Sequence, residues 1–399
     1  MTDSQFETHF PCAQCGADLS FDASVQQLAC DYCGHKNYVD FEHTPIQELD
    51  FRAALSNKLS EAQTETTTVS NCQTCGAHVE FDANVHADRC VFCDSVLVRG
   101  TGPHRHFKPK ALLPFVLSEK DARESLGKWL GSRWFAPSGL KRFARPDQGL
   151  NGVYIPYWTF DAETDTRYSG QRGDVYYVVK MVTVMTENGP RRVRQRVPQI
   201  RWTPVRGRVR KGFDDVIAVG STSLPKQFTD ALEPWDLHAL VPYAPGFLAG
   251  FRAEAYTVDL REGFADARGK MDLLIRREVR FDSGGDQQRV QGVETQFHDV
   301  TFKHVLLPLW IAAYRYRGKI YRFTVNARSG QVFGERPYSY WKIAAAIFGG
   351  ALLMLLLMFA LSASGALDQI SVGGGRVIYD SYDGLPPGYG FPRGDPFRR

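Results

Sequence analysis

The sequence predicts an α+β chain with two small zinc ribbons, a β-rich α+β body, one C-terminal transmembrane helix and a disordered tail. Three observations carry that prediction. Eight cysteines fall in four Cys-x-x-Cys pairs before residue 94, and β-branched and aromatic runs fill about 107–340. An uncharged apolar stretch then runs from Ile343 to Leu367. With 399 residues, 43% of them hydrophobic and 23% charged, the chain has room for two or three domains and is neither disordered nor fibrous.

The ribbons come first. Cys12, Cys15, Cys30 and Cys33 recur sixty residues later as Cys72, Cys75, Cys90 and Cys93, with fourteen residues between the inner cysteines each time. Gly-Ala, Phe-Asp-Ala and Val fall in register between the copies, which marks an internal duplication. Two Cys-x-x-Cys turns converge four soft thiolates on one tetrahedral ion, so each copy is expected to hold one structural Zn2+. A closed four-sulfur shell leaves no position for a reacting water, and the predicted role is folding. His35 and His78 lie near the cages but are not needed as ligands. The N-terminus shows neither a basic nor an apolar signal region, so the thiols are expected in a reducing compartment.

Residues 1–100 hold 15 acids against 5 bases, a net of −10, while the remainder holds 29 acids against 43 bases, a net of +14. Each four-thiolate zinc site adds a formal −2. A segment this acidic is unlike a phosphate binder, so nucleic acid is not expected on the ribbons. Docking of a basic protein partner, or of the chain's own basic body, fits the charge better.

Between the ribbons, Thr44-Pro45 with Glu48 predicts a helix start, with Ile46, Leu49, Ala53 and Leu59 on its apolar face. Gln63 to Ser70 reads as a polar linker. The expected boundaries are 1–43 and 70–100 for the ribbons, 44–69 for the helix and linker, and 105–340 for the body. The span follows at 343–367 and the tail at 368–399.

In the body, Ser118 to Asp121 forms a capping box ahead of Ala122, Leu126, Trp129 and Leu130. A second helix is expected from Asp259 to about Arg280, facing inward with Leu260, Phe264, Ala267, Met271 and Leu274. Asp174 to Met185 reads as a strand running into a hairpin turn at Glu187-Asn-Gly-Pro190. Tyr321 to Phe333 repeats that pattern around Asn326 to Gly330. Val153-Tyr-Ile-Pro-Tyr-Trp158 resembles Val305-Leu-Leu-Pro-Leu-Trp310, and Leu112-Leu-Pro-Phe115 and Leu240-Val-Pro-Tyr243 echo its centre. Duplication of the body and chance recurrence both explain those strings.

Ile343 to Ala363 is 21 residues and would span about 31 Å as a helix, against about 30 Å of hydrocarbon. Tyr340 and Trp341 stand where an interfacial belt belongs. A buried core helix is the alternative. Arg322, Arg328, Arg336 and Lys342 precede the segment and Asp368 follows it, which predicts a cytoplasmic N-terminus and an external tail. The Gly- and Pro-rich tail has too little apolar surface to fold alone.

Nine basic residues fall within 21 positions: Arg191, Arg192, Arg194, Arg196, Arg201, Arg206, Arg208, Arg210 and Lys211. Three readings stand for them: a solvated hairpin face, a surface for anionic lipid, or a nucleic-acid groove with Trp202 as a stacking platform. No phosphate-binding loop, nucleophile elbow or H-E-x-x-H pair occurs, and no catalytic residue is assigned. His104 with His106 and His298 with His304 read as surface or core residues.

The order of parts is similar to a bacterial family of zinc-ribbon membrane anchors. The matching strings are the paired ribbons, Tyr154 to Phe160, Phe247 to Phe251 with Glu254-Ala-Tyr256, Leu307 to Trp310, Val325-Asn326 and Gly334 to Pro337. The resemblance covers most of 10–365. It implies an adaptor at the bacterial inner membrane that works with SPFH-domain and phage-shock-type membrane-stress proteins. Relatives are also labelled primosomal or superfamily II helicase-like, so a nucleic-acid-binding helicase accessory without its own ATPase site is the competing implication.

Overall fold

A computed structural model describes residues 10–39, 45–56, 64–80, 87–90, 92, 95–98, 103–133, 150–186, 189–316, 319–335 and 338–363. It forms two compact units. The first is Met1–Arg172 with Thr203–Phe348, and the second is Gly173–Trp202 with Gly349–Arg399. The expected tail and Cys93 lie outside the described residues.

In the first unit, β1 (Leu19–Asp22), β2 (Gln27–Cys30) and β3 (Lys36–Asn37) form the antiparallel sheet of the first ribbon. Period-two alternation turns Leu19, Phe21, Leu28 and Cys30 inward. The predicted helix at Thr44 is shorter and later. Residues 45–48 are irregular, β4 (Leu49–Asp50) pairs with Thr301 and Phe302, and α1 is only Phe51–Leu55. Asp50 caps α1 by accepting from Ala53 N–H, so a bonded cap three residues before the helix interior outweighs the Thr-Pro signal.

The predicted linker is a strand. β5 (Thr64–Asn71) pairs with β6 (His78–Glu80) in the second ribbon and, along Thr64–Thr68, with β9 (Pro103–Phe107). Its threonines are polar, yet β-branching suits a pleated ladder. β7 (Ala87–Arg89) and β8 (Val96–Val98) form a separate hairpin.

The body is duplicated, and hydrogen bonds rather than sequence identity show it. One copy runs β10 (Ala111–Leu112), α2 (Glu119–Gly131), β11 (Asn151–Thr186) and β12 (Gly189–Val219). After α3 (Lys226–Ala231) and β13 (Val241–Pro242), the other runs β14 (Arg252–Ala253), α4 (Leu260–Ser283), β15 (Gln287–Tyr316) and β16 (Lys319–Asn326). The strands exchange. β10 pairs in parallel with Val305–Leu306 of β15, while β14 pairs in parallel with Val153–Tyr154 of β11. Gly220 N–H donates to Pro156 C=O at 2.9 Å, and Ala327 N–H donates to Pro308 C=O at 3.1 Å. The Trp158 indole donates to Val258 C=O at 3.0 Å, and the Trp310 indole to Leu117 C=O at 2.9 Å. Leu117 and Val258 immediately precede the helix caps Ser118 and Asp259. The partner of Leu112–Phe115 is therefore Ala253–Tyr256. Leu240–Tyr243, which the strings favoured, belongs to β13 and its flanks and pairs antiparallel with β10.

Alternation along β11 distributes its side chains to opposite faces. Tyr154 joins a cluster with α2 and the first ribbon, whereas Val153 and Ile155 join one with α3 and the second ribbon. The predicted capping box is present, with Ser118 and Asp121 bonded reciprocally. Ala122, Leu126 and Leu130 are buried, with Trp129 packed partly against the same cluster. Helix α4 buries Leu260, Ala267, Met271, Ile275 and Val279. Leu274 is exposed instead of inward, because a 3.6-residue period continued from Met271 selects Ile275. β17 (Val332–Gly334) closes the hairpin expected with β16.

The second unit contains the turn-proximal parts of β11 and β12 and most of α5 (Tyr340–Ala363). The hairpin predicted around residues 187–190 is formed by these two strands. α5 begins three residues before the expected 343.

Candidate metal centre

The described Cys-x-x-Cys turns are built by backbone geometry. In the first ribbon, Gly16 N–H donates to Cys12 C=O and Gly34 N–H to Cys30 C=O, both at 2.9 Å. Gly16 and Gly34 have φ of 75° and 71°, a left-handed conformation that glycine adopts without a Cβ penalty. The turns aim Cys12, Cys15, Cys30 and Cys33 at a common point, with all four sulfurs within 4.8 Å of one another. Sγ–Sγ separations of 3.6 Å for Cys12–Cys33 and 3.5 Å for Cys15–Cys30 approach the edge of about 3.8 Å set by 2.3 Å zinc–sulfur bonds.

N–H groups of Cys33 and Tyr32 help lower the Cys30 thiol to about 7. Cys33 goes the other way, to about 12: the His35 N–H favours its thiolate, but partial desolvation beside the other thiols and hydrogen bonding with Cys15, Cys12 and Cys30 outweigh it. Four thiolates at this spacing need a divalent ion to coexist, and Zn2+ matches the donor set and shape. His35 takes part through its backbone, accepting the Cys30 N–H.

The second ribbon repeats the first turn, with Gly76 N–H on Cys72 C=O at 2.8 Å and Gly76 at φ 78°. Cys72, Cys75 and Cys90 bring their sulfurs within 4.8 Å of one another. The fourth predicted ligand, Cys93, lies outside the described residues.

Both ribbons are fastened to the body. Phe21 N–H donates to Ala249 C=O, and its ring meets Phe247 edge-on at 5.3 Å. In the second, Ala255 N–H donates to His78 C=O and the Arg322 guanidinium to Phe92 C=O. Cys72, Ala77, Cys90 and Phe92 are buried among Leu113, Val153 and Ile155. These contacts are apolar packing, backbone hydrogen bonds and one side-chain bond from Arg322.

The two ribbons differ at one matched position, since Phe92, the counterpart of Tyr32, is buried. Tyr32, inside the second turn of the first ribbon, is 88% exposed and Tyr38 is 83% exposed. Cys15 and Cys33 are exposed on the same ribbon.

The nine predicted basic residues do not form one site. Arg208 and Arg210 pair with Asp165, and Lys211 pairs with Glu278 at 3.0 Å. Arg191, Arg192, Arg194, Arg196 and Arg206 are exposed with no ion pair among the described residues. Arg201 lies over the Tyr176 ring at 5.2 Å. Of the histidines, His304 is buried, with Nδ1 2.8 Å from Phe107 C=O, and His298 is exposed. His104 and His106 sit in β9, opposite Thr67 and Glu65 of β5.

Two polar groups had no sequence signal. Asp161, Asp214 and Asp215 bring carboxylates together, but Lys303 Nζ already supplies a cation there, 2.8 Å from Asp215 and 3.0 Å from Glu48. Burial and hydrogen bonding with Glu48 push Asp161 up to about 7. Glu48 is held at about 2, against burial, by hydrogen bonds from Asp161 and Thr301 and by Lys303. Glu254, which replaces Leu113 in the second copy of the body, is buried and accepts from Ser221 and Ser223. Burial raises it to about 8.

No family model matches the chain, and no solved structure matches it. It is similar to a Bacillus subtilis (strain 168) protein described as uncharacterized protein YdjG. The two are 25% identical over 362 residues, covering 89% of this chain and 98% of that protein.

Proposed function

We propose that this chain is a membrane-tethered, zinc-braced adaptor of the bacterial inner membrane. α5 crosses the bilayer once, the ribbons and body face the cytoplasm, and the first ribbon docks a protein partner. The observation that carries the reading is α5 itself. Over Tyr340–Ala360 its mean hydropathy is 2.5 and none of that apolar window is buried. Phe348, Leu353 and Phe359 are each at least 69% exposed, which water would penalise and a hydrocarbon core would not. Tyr340 and Trp341, 82% and 87% exposed, supply the interfacial aromatics, and Lys342 with the preceding arginines favours a cytoplasmic N-terminus.

The docking role goes to the first ribbon because Tyr32 and Tyr38 stand open on it, whereas Phe92, the counterpart of Tyr32 in the second, is buried. Large exposed aromatics on a rigid, metal-fixed turn are the kind of anchor that protein interfaces use. The acidity of residues 1–100 favours a partner with basic groups, and SPFH-domain or phage-shock-type proteins are the partner class that the family resemblance implies. The test is affinity capture from detergent-solubilised membranes with the native chain and a Tyr32→Ser/Tyr38→Ser variant of unchanged zinc content. The adaptor reading expects partners with the native chain that the variant loses. Identical recovery from both would remove the first ribbon as the docking site.

A further inference from the structure

The turn-proximal part of the β11–β12 hairpin combines two features that the paired arginines near its base lack. Residues 173–202 hold six bases (Lys180, Arg191, Arg192, Arg194, Arg196 and Arg201) against two acids (Asp174 and Glu187), a net of +4. Tyr177, Val179 and Met181, at alternate positions of β11, are 65%, 63% and 58% exposed. Residues two apart on a strand share a face, so these three make an apolar stripe on a strongly basic hairpin. A solvated strand face has no need of such a stripe.

We propose that this hairpin arm lies on an anionic phospholipid surface, with the arginines on headgroup phosphates and Tyr177, Val179 and Met181 at the headgroup–acyl boundary. Basic residues near an anionic leaflet gain from its potential, and apolar residues beside them gain from leaving water. A nucleic-acid groove is less well matched. Trp202 is half-buried, and a Cβ on Gly173 would come within 2.9 Å of its ring, so part of the proposed stacking surface faces the chain's own backbone. Aliphatic Val179 and Met181 offer no stacking plane for a base. The inference rests on the membrane placement proposed above.

The experiment uses the full chain in lipid nanodiscs of neutral phosphatidylcholine or with one-third phosphatidylglycerol. Amide hydrogen exchange is followed across residues 173–202. At 0.1 M salt, exchange should be at least tenfold slower in the anionic discs, and the difference should collapse at 1 M salt. The R191S/R192S/R194S/R196S variant should lose that slowing while exchange over Leu260–Ser283 stays unchanged. Should the variant misfold, the native chain's lipid and salt comparison decides alone. Equal exchange in both discs overturns the arm proposal and leaves the membrane placement standing. Failure of the chain to enter either disc overturns both. Protection of the arm by a 20-nucleotide DNA at 0.15 M salt, with none from anionic discs, replaces lipid by nucleic acid.

Discussion

Breaking the candidate zinc site of the first ribbon with a Cys12→Ser/Cys15→Ser change should loosen the body as well as the ribbon. Leu19, Phe21 and Leu28 are at most 6% exposed and share a cluster with Phe115, Tyr154 and Phe247. Fully burying such side chains contributes about 1.5–3 kcal/mol each. Three of them give roughly 4.5–9 kcal/mol, or about 3–8 after allowing for a denatured chain that is already partly collapsed. That is a large part of the roughly 5–15 kcal/mol that stabilises an ordinary domain. The melting temperature should fall by at least about 6 °C, at about 2–4 °C per kcal/mol for a body of this size. Calorimetry in detergent gives the melting temperature, and hydrogen exchange reads the segment around Phe247–Phe251, against which Phe21 lies. Unchanged exchange there, with a shift below about 1 °C, would show that the ribbon hangs freely and does not brace the sheet.

Three further predictions follow from the body. Asp161 is raised in the folded state, so its contribution to stability is complete below its unfolded value near 4 and is lost as pH rises through about 7. Asp161→Asn should therefore flatten the fall in melting temperature across that window, while the acid-side loss near pH 2 that belongs to Glu48 remains. Trp158→Phe and Trp310→Phe each orphan one carbonyl, of Val258 and Leu117, and should cost about 1–3 kcal/mol apiece in denaturant melts. On α4, a Cβ at Gly263 would stand 2.6 Å from Trp158, so Gly263→Ala should destabilise by about 1–3 kcal/mol. Gly269, with open space around it, should gain up to about 1 kcal/mol as alanine.

What could be read from residues alone was what local chemistry fixes. The thiol spacing of the first ribbon, the Ser118–Asp121 box and the helix start at Asp259 each act over a few residues and reappear at their predicted places, and the two strands flanking the predicted turn are formed. The strand at Thr64–Asn71 was hidden because its polar composition imitates a linker, while its ladder depends on the distant residues Pro103–Phe107. The body duplication was half visible. Val153–Trp158 and Val305–Trp310 retain similar residues because both fill the same sheet core. Ala111–Ser118 and Arg252–Asp259 share backbone bonds but few side chains, and a bonding pattern leaves no mark on a string of letters. Glu254 shows the cost of reading by type: a lone glutamate looks solvent-facing until Ser221 and Ser223 are folded over it.

The membrane placement of α5 supports the adaptor reading and the lipid-facing arm alike, and sedimentation of the untagged chain tests it most directly. After cell lysis and an alkaline carbonate wash, the protein should stay in the high-speed pellet and leave it only with detergent. A version ending at Ser339 should move to the supernatant with its zinc retained. Native chain released by carbonate alone would contradict the account.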